Sequence, residues 1–301
     1  MIPALFARTA IFVALAGFGA SYLSILVSSL RGPRSPGEPP PSPSASHLVT
    51  GFVTNFFDTL GIGSFATSTA IFKFRKMLPD ELYPGTLNIG HTLPTIFQAF
   101  IYISVIAVDP ATLVLLIGSS VVGAWFGAGL VANFSRRTVQ LGMGAALLTA
   151  ATAMLMSQLK WFPVGGTALE LHGWRLAIGI VGNLGLGAIM TLGIGLYAPC
   201  MALVSLLGMD PAAAFPIMMG SCAFLMPVAS ARFIKRRAYS APVALGLAIG
   251  GLLGVPLAAF VVKSLPLTAL RWLVIVVVVY AAVLMLRSAR QETLARPAVA
   301  P

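Results

Sequence analysis

The chain has 301 residues, 58% hydrophobic and only 9% charged, with a mean hydropathy of +0.94. Soluble globular proteins carry about 25% charged residues, so this composition excludes a soluble domain and describes an integral membrane protein. Long apolar runs between charged loops make it all-α rather than a barrel. The net charge of +11 comes from Lys and Arg in short loops beside apolar spans. That placement reflects topology and anionic lipid, so the expected partners are the bilayer and a small solute, not nucleic acid.

An apolar stretch at 11–30 reads as a retained N-terminal anchor helix within 1–30. Residues 31–47, rich in Pro and Ser, read as a disordered linker that separates the anchor from the body. The body divides into two repeats, 48–159 and 175–287, joined by a loop at 160–174 and followed by a tail at 288–301.

The repeats announce themselves in five residues: Thr59-Leu60-Gly61-Ile62-Gly63 recurs letter for letter as Thr191-Leu192-Gly193-Ile194-Gly195. Around it, Gly51 and Asn55 match Gly179 and Asn183, Pro84 matches Pro216, and Gly118 and Gly123 match Gly246 and Gly251, all in chain order. Each repeat then reads as one broken segment and three plain spans: 48–72, 85–107, 111–133 and 138–159, then 176–208, 212–231, 241–262 and 268–286. A glycine pair inside an apolar segment breaks a helix where no water can satisfy the backbone. Such breaks survive in membranes only where protein or a polar cavity surrounds them.

Loop charge decides how the broken segments run. If both cross the membrane fully, Lys and Arg divide 8 against 11. If each is a re-entrant hairpin, 14 fall on one side, among them Arg75, Arg136, Arg236 and Arg287, and 5 on the other: Arg8, Lys160, Arg175, Lys263 and Arg271. The second division obeys the positive-inside rule. Hairpin arms of about 11 residues reach about 16 Å, near the midplane. Three full crossings per repeat turn the second repeat over, which predicts two inverted repeats, each a re-entrant broken-helix hairpin plus three transmembrane helices. The C-terminus then lies in the cytoplasm of a multi-pass protein of the cell (inner/plasma) membrane.

The hairpin tips are the expected site. The second arms should begin near Ser64–Thr67 and Leu196–Pro199, with Pro199 suited to a first turn. Their N-termini supply free N–H groups and positive dipole ends, an anion site without a buried cation. Ser64, Thr67, Ser68 and Tyr197 add hydroxyls, which either meet the solute or cap the arms. Gly61, Gly63, Gly193 and Gly195 allow backbone angles and close approach denied to bulkier residues. Asn55 and Asn183 precede the breaks, as ligand groups or as satisfiers of the interrupted backbone. Gly123 and Gly127, and Gly246, Gly250 and Gly254, form small-residue steps for close helix packing. Pro94 and Pro227 should kink their spans.

Asp58 and His91 are ionisable groups at membrane depth, and such groups are functional candidates by default. Asp58 stands near the C-terminal end of a half-helix, where the dipole disfavours negative charge. It is therefore expected to be protonated or partnered; one or both of Asp58 and His91 either couple proton movement to transport or form a static buried hydrogen bond that fixes the first hairpin. No Ser/His/Asp constellation and no phosphate loop points to an enzyme. His47, His91 and His172 are scattered, and no metal or other cofactor is expected. Cys200 and Cys222 form either a sulfur-transfer pair or small buried hydrophobes.

Two four-segment halves with Gly-rich breaks, carried by "NFFDTLGIGSFATS" and "NLGLGAIMTLGIGLYAPC", resemble the sulfite exporter (TauE/SafE) family of membrane anion permeases over about residues 48–287. The resemblance implies transport, often outward, of sulfite, thiosulfate or small organosulfonates. An anion channel on the same hairpins and a membrane sulfur-transfer protein using Cys200 or Cys222 are the rival expectations.

Overall fold

Ser44 opens the body of the molecule. Its hydroxyl accepts the N–H of His47 at 3.3 Å while the His47 ring nitrogen Nδ1 accepts the N–H of Ser44 at 3.2 Å, a reciprocal cap that starts a helix at Ala45. The computed structural model describes residues 2–32, 41–161, 165–193, 195–261 and 267–295. Among them, eleven α-helices follow in order: α1 Ile2–Arg31, α2 Ala45–Thr59, α3 Ser64–Arg75, α4 Tyr83–Val105, α5 Pro110–Val131, α6 Arg136–Gln158, α7 Gly173–Met190, α8 Tyr197–Leu206, α9 Ala214–Lys235, α10 Ala241–Pro256 and α11 Leu267–Ala295. Seven contain stretches long and apolar enough to cross a membrane: α1, α5, α6, α7, α9, α10 and α11.

Several boundaries differ from the sequence reading. The cap at Ser44 carries α2 into the segment expected as linker, of which residues 33–40 lie outside the described residues. α11 runs to Ala295, into the segment expected as a tail. The arms around the breaks are unequal and mostly longer than expected. α2, α3, α7 and α8 have 15, 12, 18 and 10 residues, or about 22, 18, 27 and 15 Å at 1.5 Å per residue. The helices run on through Pro94 and Pro227.

The N-terminal helix is docked rather than set apart. α1 packs on α9 and α4, its Leu15 and Tyr22 are buried, and the Tyr22 hydroxyl donates to the Ile89 carbonyl at 2.7 Å.

Lipid is as apolar as leucine, so water exclusion does little to join helices within it; close packing and interhelical hydrogen bonds must do so. The small-residue steps supply that packing. A Cβ on Gly246 would overlap His47, and one on Gly123 would overlap the Leu184 carbonyl. Hence α10 lies backbone to backbone on α2, and α5 on α7. α4 and α9 face each other in the middle, α5 and α10 flank them, and α6 pairs with α11.

α4 stands apart chemically. It is not among the seven apolar helices, because Asn88, His91, Thr92, Thr95 and Gln98 lie along it, all buried. Polar side chains at that depth need partners, and those partners build the site.

Candidate substrate cavity at the helix breaks

Both breaks are shaped by glycine. After α2, the Gly61 N–H bonds to the Asp58 carbonyl and the Ile62 N–H to the Phe57 carbonyl. Gly61 and Gly63 adopt φ of +86° and +89°. After α7, the Gly193 N–H bonds to the Met190 carbonyl at 2.8 Å with φ of +112°. Side chains avoid such angles, so the chain turns where the sequence offers glycine. Ile194 lies outside the described residues.

The two breaks wall one cavity of about 40 Å³, room for roughly three waters. Asp58, Gly63, Ser64 and Phe65 come from the first break and Met190, Gly195 and Leu196 from the second; α4 gives Thr95, and α9 gives Met218, Met219, Cys222 and Met226. Among the described residues, no Lys, Arg or His lines it.

Asp58 is partnered on both oxygens. Oδ1 accepts the N–H of Ser64, the first residue of α3, at 2.7 Å, and Oδ2 accepts from Gln98 Nε2 at 3.1 Å. The expectation that its dipole environment is unfavourable considered only the C-terminal end of α2. The carboxylate also sits at the N-terminus of α3, where negative charge is stabilised. Gln98 Nε2 reaches Thr59 Oγ1 at 2.9 Å as well, and the Tyr102 hydroxyl donates to the Thr59 carbonyl at 2.5 Å. Gln98 Oε1 is buried without a hydrogen-bond partner.

His91 does not line the cavity. Its Nδ1 lies 2.9 Å from Asn55 Oδ1 and its Nε2 lies 2.9 Å from Ser68 Oγ. The Asn55 amide gives its N–H₂ to the Gly51 carbonyl at 2.8 Å, so its oxygen faces the ring and Nδ1 carries the proton. In the neutral ring Nε2 then accepts from Ser68. His91 thereby ties α4 to both arms of the first hairpin.

Of the other expected residues, Gly63, Ser64 and Gly195 reach the cavity with Asp58. A Cβ on Gly195 would meet open space, so its smallness leaves cavity volume. Gly193 instead packs against Met143. Thr67 bonds back to the Gly63 and Ser64 carbonyls at 2.9 and 3.0 Å and faces an apolar crevice with Phe57 and Val277. Asn183 is buried against α5 and α9, donating to the Leu116 carbonyl at 2.6 Å and to Ser221 Oγ at 3.0 Å. α8 begins at Tyr197, whose side chain lies outside the described residues.

The sequence reading passed over Thr95, Gln98 and the methionines. The signal for the last was present in the run "PIMMGSCAFLM", where Met218, Cys222 and Met226 recur every fourth residue and so share a helix face. Cys222 Sγ lies 3.8 Å from Met190 Sδ, while Cys200 is buried away from the cavity lining. Among the described residues, no three of His, Cys, Asp and Glu stand together as a metal site.

These features define a multi-pass helical membrane protein with an internal cavity at two helix breaks. Compared with protein-family models, with curated proteins and with solved structures, the chain matches none.

Proposed function

We propose that the protein is a secondary transporter of a small anion, a sulfur-containing one such as sulfite, thiosulfate or a short organosulfonate, exported across the cell membrane with proton coupling. The observation that carries this reading is the meeting of two helix breaks at one cavity. Paired broken helices deep in a bundle are where secondary transporters hold their solutes. Helix pairing supports a two-fold plan. α2 lies on α10 as α7 lies on α5, while α4 meets α9 and α6 meets α11, so exchanging the halves leaves the pairings unchanged. With the loop-charge division, this favours inverted repeats.

The binding chemistry follows from what reaches the cavity. α3 and α8 begin at or beside its wall and bring two positive helix ends to it. An entering anion finds the Ser64 N–H already held by Asp58, and two negative charges cannot share it cheaply. Protonation of Asp58 removes the competitor, so proton binding precedes anion binding. His91, with both ring nitrogens engaged, fixes the hairpin against α4.

Proteoliposome flux of sulfite, thiosulfate, taurine and sulfoacetate, with and without a pH gradient, tests the reading. Saturable flux of one of these that responds to the gradient is expected. Unsaturable flux indifferent to pH overturns it in favour of a channel. One observation keeps a sulfur-transfer reading in view: the Cys222 thiol lines the cavity. Full flux after both Cys200→Ser and Cys222→Ser removes that alternative.

A further inference from the structure

We propose that the cavity is also a binding site for a soft monovalent metal ion, Cu⁺. Five of its twelve lining residues carry sulfur: Met190 from the end of α7, and Met218, Met219, Cys222 and Met226 from α9. Thioethers and thiolates select Cu⁺ over harder ions. Methionine is also a common filler of apolar gaps, so the count alone decides nothing.

Geometry adds a second, independent reason. The Met190 and Cys222 sulfurs are 3.8 Å apart. Two metal–sulfur bonds of about 2.3 Å meeting at a tetrahedral angle hold their sulfurs about 3.8 Å apart. The Cys222 thiol now donates to the Met190 thioether at this distance, so the two sulfurs can meet one ion in place of that hydrogen bond without moving apart.

The lining sets the proton balance: among its described residues Asp58 is the only formally charged one. When Cu⁺ binds, the Cys222 S–H bond breaks and a Cu–S bond forms with no change of oxidation state. The proton passes to the Asp58 carboxylate, a base that lines the same cavity. A monovalent ion then leaves the cavity neutral, whereas a divalent ion would leave an uncompensated positive charge away from water. This inference does not depend on the transport reading, since binding is measured without flux.

The test is anaerobic titration of the purified full chain with Cu⁺ against a chromogenic Cu⁺ chelator, followed by copper X-ray absorption. One tight Cu⁺ per chain is expected, with a sulfur shell at about 2.3 Å. Cys222→Ser should weaken binding at least tenfold, and Cys200→Ser should leave it unchanged. Met190→Leu preserves volume and therefore fold, and should weaken binding several-fold even if the cysteine variant does not fold. No Cu⁺ bound by the wild-type chain, binding that survives Met190→Leu and Cys222→Ser undiminished, or binding lost with Cys200→Ser alone overturns the proposal.

Discussion

Replacing Asp58 by asparagine separates its electrostatic role from its structural one. The amide oxygen of the variant still accepts the Ser64 N–H, whose present partner is Oδ1 at 2.7 Å. On the other side an N–H₂ would meet Gln98 Nε2, now 3.1 Å from Oδ2. Gln98 resolves that clash by turning its amide over, which takes Nε2 from Thr59 Oγ1, now 2.9 Å away, and costs about 1 kcal/mol for the lost bond. Making two charge-assisted bonds neutral costs about 1–2 kcal/mol in all, and losing the charge at the α3 N-terminus costs about 0.3–1 kcal/mol more. Against this stands the relief of burying a carboxylate, several kcal/mol per ion. Asp58 is only half-buried, so the relief offsets these costs in part, and the variant should stay folded within about 1–2 kcal/mol of the wild type. Function should change instead. One proton coupled to each anion makes a pH difference of one unit worth about 1.4 kcal/mol, a tenfold bias in anion distribution. In proteoliposomes with a pH step, Asp58→Asn should still bind the anion yet reduce that tenfold bias to none. A folded variant whose pH response equals that of the wild type would refute the coupling role of Asp58.

Further outcomes follow from the same geometry. Cysteine labelling from each side should place the loops holding Arg136 and Arg236 on one face, the cytoplasmic one; opposite faces would contradict the inverted-hairpin plan. Gly63, at φ +89° and ψ +124°, occupies an angle that costs other residues about 1–3 kcal/mol; Gly63→Ala should lower the melting temperature and flux together. Gly195→Ala should lower flux alone, because its Cβ enters open space, and a fall in stability instead would show that the backbone there is strained. His91→Gln cannot serve both Asn55 and Ser68 and should cost about 1–3 kcal/mol, with the pH response of transport intact. Burial by itself raises the Asp80 pKa, but hydrogen bonds from Lys73 and Gln140 and the Lys73 charge outweigh it and hold the carboxyl below its ordinary value. A folded pKa below the unfolded one gives stability that is present above pH ~4 and lost as pH falls through the folded value. Melting in detergent between pH 5 and 3 should therefore steepen with Asp80 and flatten with Asp80→Asn.

The outline of the bundle is legible in the sequence because lipid imposes simple rules. Apolar runs of span length, the repeated TLGIG and the small-residue steps locate the helices, the breaks and the packing faces of α5 and α10, though not which helices they meet. Helix ends are less legible, since α2 starts where a serine and a histidine happen to cap each other. The site was half legible. Asp58, Gly63, Ser64 and Gly195 announced themselves by charge or by position at a break. Thr67 and Asn183 carry the same chemistry, but the helix turn aims them elsewhere, at their own backbone or at α5 and α9. Gln98 was overlooked because it lies forty residues from Asp58 in sequence, and no local pattern joins them.

The position of Asp58 has a physical logic of its own. A helix that begins inside a membrane exposes N–H groups that nothing in hydrocarbon can satisfy. The first break meets that need with its own carboxylate, six residues before Ser64, while the second has apolar residues at 186–190. The two breaks therefore differ in charge although they share five letters. In the first, an internal carboxylate holds the N–H that, in the proposed transport cycle, an anion would take once protonation releases it. The two breaks give the cavity its walls, and the carboxylate on one of them is what gives the proposed transporter a switch.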